Sequence, residues 1–265
     1  MCAIRQLVAG ILVLSYILLK KKPLFSDRRE LWTHLILGAL VFLGGNGLTT
    51  WGIKYIPSGL GALLGCLFPF FLVILNALIY KTSINLKTML GLLLGFGGVA
   101  LIFLSMQQNF EAEALITGVL LVLAGVLCWT FGSLISSKQV LKAHLIAGVG
   151  WQMLFGGILL FAFSIIAGEE RAFASVSWAG WLELAYLILI GSIMCFLCFM
   201  YVLRHLPPDI SGIYAYINPI IALILGILFL EEPFFWNIVW GTLLTLLGVY
   251  IVKRFTTISK TDELE

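Results

Sequence analysis

Nine stretches of this chain are apolar for long enough to cross the roughly 30 Å hydrocarbon layer of a bilayer as helices. They run at about 2–19, 31–53, 58–80, 85–105, 114–136, 144–167, 178–203, 208–230 and 234–253. In lipid no water can serve an unpaired backbone group, so a spanning segment of this length must bond within itself as a helix. Composition closes off the soluble alternatives: 61% of residues are hydrophobic and 11% charged, against about 25% charged in a water-facing domain. The fold expected is therefore all-α, a polytopic membrane protein with nine transmembrane helices, lodged in the lipid bilayer of the cell membrane. A net charge of +3 gives no reason to expect nucleic acid as a partner. Cys2, Cys66, Cys128, Cys195 and Cys198 are scattered through apolar runs and form no disulfide framework. The first run ends in Lys20, Lys21 and Lys22 with no small-residue cleavage site, which reads as a stop-transfer flank rather than a signal peptide.

The stretch Trp51–Leu101 returns as Tyr201–Ile251 without a gap. Pro57 falls on Pro207, Pro69 on Pro219, Gly91 on Gly241, Gly98 on Gly248 and Val99 on Val249. Aligned prolines and glycines are informative because they fix backbone geometry. More weakly, Gln6–Gly10 lies on Gln152–Gly156, pairing the first helix with the sixth. Loop charges set the direction of each copy. Thirteen Lys and Arg residues fall on the face that carries the Lys20–Glu30 loop and the C-terminal tail, against three on the other face. Positive loops stay cytoplasmic, so the C-terminus is expected inside and the two copies are expected to run in opposite directions. Such inverted repeats suit transporters that expose one cavity alternately to either side. The division expected is a first repeat of four helices at 1–110, a second of five at 111–255, and a cytoplasmic tail at 256–265. The helix at 114–136 then lacks a counterpart, which leads us to expect a truncated or misassigned start, or else a genuine nine-helix protein.

These residues resemble the EamA family of the drug/metabolite transporter superfamily. The resemblance covers nearly the whole chain. Its most specific part is NPIIALILGILFLEEPFFWNIVWGTLLTLLGVYIV, with Pro219, Glu232, Gly241 and Gly248, and it is supported by Arg5–Gly10 and by LCWTFGSLISSK at Leu127–Lys138. It implies two inverted repeats of five helices. The chain departs from the pattern in lacking the family's first helix and in carrying Thr82 where the second copy has Glu232.

Polar residues within the apolar runs are the candidates for a substrate cavity. Pro69 and Pro219 each lie about twelve residues into their helices, roughly 18 Å along at 1.5 Å per residue, near the bilayer midplane. Each removes one backbone donor and frees a carbonyl, which makes it a packing kink or a hinge. Asn218, Tyr214 and Ser211 form a stripe on one helical face, suited to a polar metabolite with an apolar part, or to an interhelical hydrogen bond. Gln152 and Trp151, with Arg5 as a weakly aligned counterpart, offer a second polar group; Arg5 alternatively snorkels to the interface. Asn46 and Trp51, with Thr49 and Thr50, form a patch that is a cavity mouth or a packing surface. Glu183, Glu231 and Glu232 lie near helix ends and read as solvated charges. Cys195 and Cys198 form a C-x-x-C without neighbouring ligands, and no metal is expected. Gly91 with Gly95, and Gly241 with Thr245 and Gly248, make small-residue faces for close packing of helices or of two subunits in a homodimer.

No P-loop, H-E-x-x-H or matched nucleophile and base is present, so neither an enzyme nor a nucleotide-driven pump is expected, and no cofactor. The reading is a secondary transporter of small metabolites, amino acids or amphipathic compounds among them, working in export or exchange. Its rivals are a channel-like facilitative permease and a truncated paralogue that does not transport.

Overall fold

The structure is a computed structural model and describes residues 1–24, 28–81, 84–106, 111–138, 145–168, 177–205, 221, 224–225, 228–229 and 236–261. Among the described residues every regular element is helical: α1 (Cys2–Leu19), α2 (Arg28–Leu37), α3 (Thr49–Gly52), α4 (Ser58–Gly65), α5 (Phe68–Tyr80), α6 (Leu86–Met106), α7 (Ala112–Lys138), α8 (Leu145–Ile166), α9 (Trp178–Tyr186), α10 (Cys195–His205) and α11 (Trp236–Thr261). Two π-helical segments join them, Gly38–Leu48 between α2 and α3 and Leu187–Met194 between α9 and α10. Taken as continuous helices, eight stretches among the described residues are long and apolar enough to cross a membrane. They match eight of the nine expected spans; the remaining one, 208–230, falls largely outside the described residues.

The expected helix at 58–80 is interrupted. Cys66 and Leu67 form a turn in which each amide donates three residues back, to Leu63 and Leu64, both at 3.0 Å. Regular bonding resumes with the Phe71 amide on the Leu67 carbonyl. Pro69 sits in the first turn of α5, where its missing N–H would otherwise have bonded the carbonyl of Gly65. A proline ring also clashes with that carbonyl, so the turn before it tightens and a new helix begins.

Two helix ends share a second device. Lys21 and Lys81 adopt left-handed backbone conformations, φ 52° and 53°. Beyond α1 the Lys22 amide bonds the Ile17 carbonyl at 3.2 Å and the Lys21 amide bonds that of Leu18 at 2.9 Å. This is the Schellman arrangement, which satisfies carbonyls a helix end leaves bare.

The chain packs as two compact units. Unit 1 comprises Met1–Gly47 with Gly132–Leu206, and unit 2 comprises Leu48–Phe131 with Pro207–Glu265. Each draws helices from both sequence copies. In unit 1, α8 is the central helix, and α1 packs along it. Its glycines receive neighbours directly: a Cβ on Gly157 would lie 2.6 Å from the Leu7 nitrogen, and one on Gly150 would lie 2.9 Å from Leu14 Cδ2. In unit 2, α6 and α11 form the most extensive contact. A Cβ on Gly91 would sit 3.0 Å from the Gly248 carbonyl oxygen, and one on Gly248 would sit 2.5 Å from that of Gly91. Gly98 and Gly241 repeat the relation, each bare Cα lying under the other's carbonyl. Thr245 stands between the two glycine pairs. Its hydroxyl donates to the Gly241 carbonyl of its own helix at 2.8 Å and lies 3.3 Å from the Gly95 carbonyl opposite. The Phe70 ring fills the notch over Gly95. These small-residue faces are thus occupied by packing within the chain.

This contact yields a sharp expectation. Gly98→Ala places a methyl group against a backbone that cannot yield, and overpacking of this kind costs about 1–3 kcal/mol. Gly97→Ala meets only Leu244 Cδ2, at 3.8 Å, and is expected to be neutral. Thermal unfolding of the two variants in the same detergent, compared with the parent chain, checks this.

Candidate substrate site

The polar candidates separate by unit. Ser211, Tyr214, Asn218 and Pro219 lie outside the described residues. Trp51, half-buried in α3, belongs to unit 2. Arg5, Asn46, Trp151 and Gln152 belong to unit 1, and three of them come from helices that pack together, α1 and α8.

Unit 1 also holds every buried side-chain N or O atom that lacks a hydrogen-bond partner among the described residues: Arg5 Nε, Gln6 Oε1, Gln152 Oε1 and Ser192 Oγ. Gln6 and Gln152 are each 1% exposed and Ser192 2%. Away from water an unsatisfied polar group of this sort costs about 1–3 kcal/mol. Native folds rarely keep several together unless they serve something. Unit 2 satisfies its buried Thr245 twice over; unit 1 leaves the amide oxygens of Gln6 and Gln152 without a partner among the described residues.

The neighbours Trp151 and Gln152, about a third of the way along α8, have different tasks. The Trp151 indole Nε1 donates to the Leu24 carbonyl at 3.0 Å, and its ring stacks on Phe155 at 5.3 Å between centroids. It therefore ties the segment after α1 down onto α8. Gln152 turns inward, with Nε2 3.5 Å from His34 Nδ1 on α2. The His34 ring lies on the bare backbone of Gly148, where a Cβ would come within 2.8 Å of Cε1. Sequence reasoning passed over His34 as a site residue. The signal that could have found it is an ionisable side chain within a stretch expected to span the membrane, which is uncommon without a purpose.

Asn46 is half-buried within the first π segment. The i→i+5 bonding of such a segment often marks functional sites. Phe42 of that segment meets Phe196, just past the second π segment, with ring centroids 5.0 Å apart. Phe42 also occupies the space over Gly156 of α8. Ser192, missed in the sequence, lies inside the second π segment, which packs on α1. Cys195 and Cys198 are exposed on α10 rather than packed, and no group of metal-ligating side chains is found among the described residues.

Two variants test this account. Ser192→Ala deletes an oxygen that nothing serves and is expected to raise stability by about 1 kcal/mol, read as a higher unfolding midpoint. Trp151→Phe keeps the stacked ring and removes the donor. Faster proteolysis of the segment around Leu24 is expected, and an unchanged rate contradicts the tether.

Comparison with known proteins now has a structure to rest on. The EamA-like transporter family matches residues 1–104 and 116–254. The uncharacterized inner membrane transporter YedA of Escherichia coli strain K12 is 34% identical over 227 residues, covering 85% of this chain and 72% of the relative. The uncharacterized transporter YoaV of Bacillus subtilis is 26% identical over 251 residues, 94% of this chain and 84% of the relative. One solved crystal structure superposes with a TM-score of 0.67 at 16% identity, covering 94% of this chain and 85% of its own, and so shares the fold.

Proposed function

The chain belongs to the EamA-like transporter family, a membrane transporter and not an enzyme, and from that membership we propose that it is a carrier whose two inverted repeats alternate access to one cavity. The observation that carries this is the reciprocal contact of α6 with α11. Gly91 lies against Gly248, and Gly98 against Gly241. In the sequence, Gly91 is the counterpart of Gly241 and Gly98 of Gly248. Exchanging the two copies therefore turns one contact into the other, as a two-fold axis between equivalent helices requires. The π segments support the same relation. Shifted by 150 residues, Gly38–Leu48 becomes 188–198, overlapping the second segment at Leu187–Met194.

On this reading the ninth span is 208–230, the C-terminus is cytoplasmic, and a small metabolite is exported or exchanged. The substrate-binding candidates on this reading are Arg5, Asn46 and Gln152 of unit 1 and Trp51, Ser211, Tyr214 and Asn218 of the other sequence stretches, while Pro69 and Pro219 serve as hinges. The unserved polar atoms of unit 1 favour a ligand with hydrogen-bonding groups of its own. The break before Pro69 favours the hinge, because a helix with a tightened turn has lost a rigid section there.

In proteoliposomes, uptake of labelled amino acids is expected to accelerate when the lumen is preloaded with unlabelled ones. Flux that rises linearly and ignores the internal pool sinks the carrier in favour of a channel-like permease. Asn218→Ala and Tyr214→Phe are expected to slow that uptake while leaving insertion intact. A membrane-impermeant thiol reagent should reach a cysteine added at the C-terminus only from the cytoplasmic side, and labelling from outside reverses the topology.

A further inference from the structure

We infer that His34, held against Gln152 in the core of unit 1, is a proton-binding site of this transporter, with Glu30 as the group that loads it. His34 is 1% exposed and lies within the span Arg29–Gly52. An ionisable side chain buried inside a membrane span is kept at a cost and commonly serves an ion or proton path. Helix α8, which packs on α2, has no ionisable residue between Leu145 and Ile166. On α2 itself the sequence places Arg28, Arg29 and Glu30, of which Arg29 is exposed and Glu30 half-buried. Lys20, Lys21 and Lys22 lie exposed on the segment that follows α1, and Arg5 sits in the opposite end of that helix, near its N-terminus.

Gln152 can serve both protonation states of this imidazole. With His34 neutral and Nδ1 unprotonated, the amide N–H of Gln152 donates to it across 3.5 Å. That arrangement leaves Gln152 Oε1 buried with no partner. When Nδ1 gains a proton it becomes a donor. A half-turn of the amide then presents Oε1 as its acceptor. The atom left unserved in one state is the one required in the other, so the pair stores a proton without moving a helix.

Glu30 supplies the route. It precedes His34 by four residues, a spacing that puts the two Cβ atoms about 5–6 Å apart on one helical face. The carboxylic acid of Glu30 becomes a carboxylate as its proton passes to the imidazole, and the carboxylate is reprotonated from the adjoining aqueous phase. The proton is the ligand, so the site can be tested with no substrate in hand and independently of alternating access.

The test is a pH step applied to proteoliposomes of the full chain on a solid-supported membrane, recording the transient current of charge moving within the protein. A transient is expected from the parent chain, its loss in His34→Asn, and slowing in Glu30→Gln. Gln152→Leu, which removes the acceptor but keeps the packing volume, is expected to lose it as well. Nitrogen NMR of histidine-labelled protein supplies a second measurement, because the chain has only three histidines. The resonance missing in His34→Asn should titrate, and its midpoint should shift in Glu30→Gln. A His34 resonance that holds one protonation state across the range, or a transient that survives in His34→Asn, overturns the site. A transient of unchanged rate in Glu30→Gln overturns the entry route. Counterflow that fails while the transient persists would remove the carrier reading and leave the proton site standing.

Discussion

Two helices in lipid can bring their backbones together only where neither carries a side chain, and unit 2 of this protein is built on four places where that holds. There is no hydrophobic drive between helices when the solvent is itself hydrocarbon, so association depends on close packing and polar bonds. At Gly91, Gly98, Gly241 and Gly248 each bare Cα lies beneath a carbonyl of the facing helix, and the Thr245 hydroxyl lies 3.3 Å from the Gly95 carbonyl across the contact. The large side chains then arrange themselves around this seam. Phe70 enters the notch above Gly95 and meets the Phe96 ring in a tilted contact at 5.7 Å between centroids, which seats the first turn of α5 directly on the seam. The break before Pro69 and the closest helix contact in the unit are therefore neighbours.

Unit 1 mixes two kinds of glycine contact. Backbone meets backbone where Leu7 lies over Gly157 and Leu154 over Gly10, while side chains fill other glycine positions of α8: His34 over Gly148, Leu14 over Gly150, Phe42 over Gly156. Among the described residues the unserved polar atoms are all in this unit.

Much of this was legible in the residues. Span positions follow from apolar length, because lipid leaves helices no alternative, and eight of the nine expected spans recur with ends shifted by a few residues. The small-residue faces at Gly91 and Gly241 were recognisable as close-packing chemistry, but whether they served another helix or another subunit depended on tertiary contact. The site was less readable. Gln152 stood out as an amide in an apolar run, yet its partner His34 lies 118 residues away in the chain, and nothing in local spacing links them. Trp151 looked like part of the same polar group; only the fold turns its indole toward Leu24 instead. The π segments left no mark in the hydrophobic pattern. Four glycines crowd the first, whereas the second has Gly191 alone, so glycine content does not foretell them.

Those segments have a bearing on how the helices should be read at all. A stretch bonded i→i+5 holds more residues per turn than the 3.6 of an α-helix, so the angular phase of the side chains slips on passing through it. A helical wheel drawn without interruption through residues 31–53 assigns Asn46 and Trp51 to faces they do not occupy. The same holds for Cys195 and Cys198 if the wheel begins at Trp178. For these two helices, which residues look inward is a property of where the wider turns begin and end, and a one-residue migration of that boundary would rotate everything beyond it without moving the helix ends.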